Sequence, residues 1–149
     1  MGIDVGSVRI GVARSDPDGV LALPLDTVRR GAGDVAQLAR IAADSDAVEV
    51  VVGLAVSLRG SEGKAAREGR AFASALAERL APVPVRLVDE RFTTVVAHAA
   101  LRQGGRDSRA RRTSVDKAAA AVVLQSALDS ERATGQPAGQ LVDAGGRQG

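Results

Sequence analysis

The sequence predicts an α/β domain, with a mixed sheet that is antiparallel at one end, parallel at the other and flanked by helices. Three observations predict it. Two short apolar runs open the chain with a tight turn between them. Asp16-Pro17-Asp18-Gly19 then joins the second run to a third as a hairpin. Beyond residue 34, helical and strand-like spacings alternate.

Residues 2–5, 9–15 and 20–27 read as three antiparallel strands. Val35, Leu38, Ala39 and Ala42 recur at helical spacing over 34–43, and Asp34 is placed to cap that helix. Val48 to Leu54 is a mostly apolar run, as expected of a central strand covered on both faces. After a loop at 57–61, a helix opens at Ser61-Glu62-Gly63 and turns Ala65, Gly69, Phe72, Ala73, Leu76 and Leu80 inward. Pro82 and Pro84 bracket its end, and Val83 to Asp89 is the next strand. Thr93 to Gln103 reads as a helix ended by Gly104-Gly105, and 104–112 as an Arg-rich loop. Thr113 or Ser114 then caps a last helix running to about Asp129. The domain is expected to span residues 1–130, with 131–149 a disordered, dispensable tail.

Composition narrows the chemistry. The 149 residues, 45% of them hydrophobic, suit one domain with a core. No apolar run approaches the roughly 20 residues that span a bilayer, and no basic leader precedes the first strand, so a cytoplasmic protein is expected. The absence of cysteine excludes disulfides, thiolate metal sites and cysteine nucleophiles. Lys64 and Lys117 are the only lysines among 20 basic residues, so nearly all positive charge is carried by arginine. Arginine forks onto phosphates and carboxylates. The stretch 102–112 gathers Arg102, Arg106, Arg109, Arg111 and Arg112 against a single acid, Asp107. It reads as a phosphate-binding element or as a solvated loop. With aromatic residues only 1% of the chain, binding rests on backbone charge and shape rather than on base stacking.

Asp4 is the most informative residue. It lies within an apolar strand, where an ionised carboxylate needs a cation, a metal or an opening to water. In such sheets sites form at the carboxyl ends of strands. Asp89 and Glu90 end another strand, and because neighbouring strand residues face opposite sides, at most one of them joins Asp4, unless both simply face solvent as acids at strand ends often do. Asp116 is a third candidate, although Thr113-Ser114-Val115-Asp116 also fits a helix-capping pattern. Carboxylates without cysteine and with a single histidine select Mg²⁺ or Mn²⁺. Two such ions about 3.5–4 Å apart activate a water and stabilise the leaving oxygen of a phosphodiester. His98, among alanines, reads as a packing or surface residue.

Gly2-Ile3-Asp4-Val5-Gly6-Ser7-Val8-Arg9-Ile10-Gly11-Val12-Ala13 with Ser15-Asp16 resembles the opening of the YqgF/RuvX family. Val52-Gly53-Leu54, Gly60-Ser61-Glu62-Gly63, Asp89-Glu90-Arg91-Phe92-Thr93-Thr94 and Val115-Asp116-Lys117-Ala118-Ala119-Ala120 resemble its later motifs, in order and spacing, over residues 2 to about 129. The resemblance implies an RNase H-like fold, with a three-strand antiparallel hairpin unit plus two parallel strands flanked by helices. It implies a metal-dependent nuclease, most simply one maturing the 5′ end of pre-16S rRNA in ribosome biogenesis. A Holliday junction resolvase acting on branched DNA, or a non-catalytic ribosome-assembly factor, are the alternatives. Carried over by motif, the catalytic and metal-holding acids are Asp4, Glu90 and Asp116. Arg9, Arg91, Thr93 and Lys117 fall in matched motifs as residues that touch substrate or support the acids, beside Arg109, Arg111 and Arg112 of the basic stretch as substrate contacts. The expected partners are structured pre-rRNA or branched DNA and ribosomal particles, with no membrane, and the protein is a monomer or a homodimer.

The chain departs from the family pattern in two places. Ala55 stands where proline is usual, and only three residues precede Asp4 where several are normal. The second departure implies a start upstream of Met1 or a frayed first strand. Sugar kinases and actin-type phosphotransferases also carry Asp-x-Gly near a second glycine, but they need a further domain to enclose ATP, and 149 residues leave no room.

Overall fold

The structure is a computed structural model that describes residues 1–6, 8–54, 63–89 and 108–143, with the backbone alone at 54, 65 and 108–114. Its strands are β1 (Gly2–Val5), β2 (Arg9–Ser15), β3 (Ala22–Arg29), β4 (Val50–Leu54), β5 (Val85–Asp89) and β6 (Gln140–Leu141). Its helices are α1 (Asp34–Asp44), α2 (Lys64–Leu80) and α3 (Ser108–Thr134). One mixed sheet runs in the order β3-β2-β1-β4-β5-β6. The β1–β2–β3 unit is antiparallel, and β4 and β5 continue parallel to β1. The expected mixed sheet is therefore present, with β6 as an antiparallel addition at its edge.

Strand alternation splits the core into two layers. Ile3, Ile10, Val12, Val28, Val50, Val52 and Val85 are fully buried on one face, against Leu38 of α1 and Leu76 of α2. Ala13 and Val51 face the other way, against Ala120, Val123, Leu124 and Ala127 of α3. Each fully buried branched side chain contributes about 1.5–3 kcal/mol of transfer free energy. Glycines of the sheet face α3, and this lets the helix lie close to the sheet. A Cβ on Gly2 would sit 2.7 Å from the Leu124 Cβ. Gly69, Phe72, Ala73, Leu76 and Leu80 of α2 point inward as expected.

Several boundaries differ from the sequence reading. β1 is not frayed, because Gly2–Val5 pair with β2 while Gly2–Asp4 pair with β4. β3 begins at Ala22 rather than at residue 20, because Val20 and Leu21 donate their N–H groups to Asp16 Oδ1 at 2.7 and 3.0 Å. Those two residues complete the turn and cannot enter the ladder. β4 starts at Val50, and Val48 is 84% exposed. β5 starts at Val85, because Val83 donates to the Leu80 carbonyl at the end of α2.

Asp34 is not the cap of α1. Gly33 holds that position in a left-handed conformation, φ 87°, and Asp34 is the first helical residue. Its carboxylate accepts the N–H groups of Gly31 and Val35 and favours the positive helix end. α3 begins at Ser108, so residues 108–112 are helical rather than loop and Thr113 and Ser114 lie inside the helix. Alanine and arginine are good helix formers, and they extend the helix past the hydroxyl pair. Part of the expected tail has regular structure. α3 continues to Thr134, and Gln140–Leu141 pairs with β5. Arg86 fixes this strand by donating to the carbonyls of Ala138 and Gly139 at 2.7 and 3.2 Å. The expected helix at 93–103 lies outside the described residues. No helix among the described residues is long and apolar enough to cross a membrane.

Candidate active site

Asp4 lies in the middle of the sheet, and its direct neighbours on both flanking strands are glycines, Gly11 of β2 and Gly53 of β4. Directly paired residues share a face. The alternation of β2 assigns that face, since Ile10 and Val12 are buried toward α1 and α2 while Ala13 packs on α3. Arg9, Gly11 and Asp4 therefore share the α3 side.

α3 brings Asp116 onto this face. The backbone of Asp116 lies against Gly11 so closely that a Cβ there would overlap the Asp116 carbonyl oxygen. Arg9 Nε donates to Asp116 Oδ2 at 2.8 Å, and the two side chains are 27% and 22% exposed. A helix carboxylate and a guanidinium thus pair on the sheet face that Asp4 shares, with Asp116 packed against Gly11, the strand partner of Asp4. Arg30 steadies the turn that follows Asp4. Its Nη1 donates to the Gly6 carbonyl at 2.9 Å, its Nε lies 3.5 Å from Asp34 Oδ2, and its Cζ sits 5.2 Å from the centroid of the Phe72 ring.

The other sequence-predicted residues fall as follows. Asp89 shares the parity of Val85 and Leu87, which are buried toward α1 and α2, so it lies on the face opposite Asp4. Glu90, Arg91, Thr93 and His98 lie outside the described residues. Arg109, Arg111 and Arg112 are helical residues of α3, with Arg112 one turn before Asp116. Lys117 follows Asp116 and is half-buried.

Among the described residues no group of three or more acidic, histidine or cysteine side chains is poised around a metal. Asp4 and Asp116 do fit a hard cation. Their donors are all oxygen, and a guanidinium already neutralises one of them. Sequence reasoning missed Gly11 and Arg30. A glycine inside a strand signals a close backbone approach, so Gly11 was findable. Nothing in the sequence distinguishes Arg30 from the other arginines.

The family described as RuvX, Holliday junction resolvase, matches residues 1–130. A protein of Thermobifida fusca named "Putative pre-16S rRNA nuclease" is 57% identical over 96% of this chain and 94% of its own length. One of the same name from a Nocardioides species is 60% identical over 96% of this chain and 95% of its own length. Thermus thermophilus RuvC in complex with a Holliday junction substrate superposes with a TM-score of 0.54 at 18% identity, over 89% of this chain and 94% of that one. A second Thermus thermophilus RuvC structure gives 0.51 at 19% identity, over 89% and 95% of the two chains. At that identity the likeness is one of fold, and it makes this fold RNase H-like. The match over residues 1–130 and the two close relatives together make the chain a member of the RuvX family.

Proposed function

We propose that the protein is a divalent-metal-dependent nuclease acting on structured nucleic acid, with maturation of the 5′ end of pre-16S rRNA as its task. The observation that carries this reading is the juxtaposition of Asp4 and Asp116 on the α3 face, enforced by Gly11. The names of the close relatives support it. Asp4 and Asp116 would hold Mg²⁺ or Mn²⁺, and Glu90, which follows Asp89 in the sequence, is proposed as the third acid. Asp89 on the opposite face favours that choice, since neighbours in a strand alternate. Bound there, the ion supplies Lewis acidity to a water and to the leaving oxygen of the phosphodiester. The protein positions the carboxylates and excludes competing side chains by placing glycines at 11 and 53. Arg91, Thr93, Lys117 and the Arg109, Arg111 and Arg112 stretch at the start of α3 are proposed to hold substrate phosphates.

A second reading, a resolvase for DNA junctions, draws on the description of the matched family. The test offers the full chain, with Mn²⁺, a pre-16S leader RNA and a four-way DNA junction in parallel. Cleavage of the RNA alone supports the first reading, and cleavage of the junction alone supports the second. Binding without cleavage of either overturns both in favour of an assembly factor.

A further inference from the structure

The ion pair between Arg9 and Asp116 has a feature that a purely structural pair does not need. Its two partners are positioned by the backbone rather than by each other. Arg9 opens β2, and two residues further along the same strand Gly11 presses on the backbone of Asp116. The pair is also partly open to solvent, at 27% and 22% exposure, so the guanidinium head has a path to water along the stem of its side chain. The carboxylate it occupies is one of the three proposed to hold the divalent ion. A guanidinium at 2.8 Å and a divalent ion satisfy the same oxygen, and side by side they repel.

We propose that Arg9 is an exchangeable counter-ion, which neutralises Asp116 while no divalent ion is bound and turns to a substrate phosphate when the ion enters. This rests on the reading of Asp4 and Asp116 as metal ligands. Its consequence is reciprocal coupling, in which divalent ion and phosphodiester each favour the other's binding because both draw on the same exchange. The structure thereby assigns Arg9 a positioning and charge-balancing role at the metal site, distinct from a fixed scaffold for Asp116.

The test is a Mn²⁺ titration of the full chain without nucleic acid, read by electron paramagnetic resonance. Arg9→Gln removes the competing charge and is expected to bind Mn²⁺ roughly five- to tenfold more tightly than wild type, while Arg9→Lys stays within about twofold. A second arm measures leader-RNA binding in EDTA against salt concentration. Asp116→Asn releases Arg9 and is expected to steepen the salt slope by just under one, and adding Arg9→Gln cancels the change. Equal or weaker Mn²⁺ binding by Arg9→Gln, or an unchanged slope in Asp116→Asn, overturns the exchange and leaves the nuclease reading standing. Absence of Mn²⁺ binding in wild type and both Arg9 variants overturns the exchange and the metal reading together.

Discussion

Gly11 lies against the backbone of Asp116 with no room for a methyl group between them. Because Gly11 is also the direct partner of Asp4, this contact sets the spacing of the two carboxylates. Gly11→Ala should push α3 off the sheet. The neighbour is backbone rather than a flexible side chain, so a cost of about 2–3 kcal/mol in urea unfolding is expected. Nuclease activity should fall by more than the loss of folded protein accounts for. Unchanged stability in Gly11→Ala would refute the close packing.

Arg30 ties three elements together through Gly6, Asp34 and Phe72. Arg30→Met should cost about 1–3 kcal/mol by urea unfolding and slow cleavage, because the turn after Asp4 loosens. Arg30→Lys should restore less than half of the stability, since an ammonium lacks the fork that reaches Gly6 and Asp34 together. Full rescue by lysine would show that charge alone matters at this position.

Asp16 holds the β2–β3 turn. The N–H groups of Leu21 and then Val20 hold its carboxyl below the usual carboxylate range. A depressed folded pKa means stabilisation that is present above the ordinary carboxylate range and lost as pH falls through the folded value. Asp16→Ala should therefore melt slightly below wild type at pH 7, with the gap closing as the solution is acidified below that range. A gap that persists unchanged to the most acid conditions at which the protein folds would contradict the assignment.

Gly139 adopts φ 76°, and a Cβ there would overlap the Leu87 carbonyl oxygen. Gly139→Val should detach β6 from β5 at a cost of about 1–2 kcal/mol. Limited proteolysis should then cut the chain after α3 faster than in wild type. Equal protection in both proteins would show that β6 does not depend on this contact.

The strand-turn-strand opening was legible in the sequence because Asp4 interrupts an apolar run, and β1 and β2 have the predicted bounds. The inward face of α2 was legible for the same reason, since Phe72, Ala73 and Leu76 keep helical spacing. The start of α3 was not, because Thr113 and Ser114 look like caps and only the neighbouring helix formers carry the helix through them. β6 was invisible to local pattern. Gln140 and Leu141 become a strand through the β5 edge and through the Arg86 bonds, and both are distant in sequence. The pairing of Arg9 with Asp116 spans 107 positions and required the fold to be seen.

Asp4 and Asp116 are proposed to form one metal-dependent hydrolytic site. The most direct test is the rate of Mn²⁺-dependent cleavage of a pre-16S leader RNA by wild type, Asp4→Asn and Asp116→Asn, with folding checked by circular dichroism. Each variant is expected to remain folded and to lose at least about a hundredfold in rate, as removal of a group that stabilises the transition state does. Rates equal to wild type in either folded variant would show that the two carboxylates do not form the hydrolytic site.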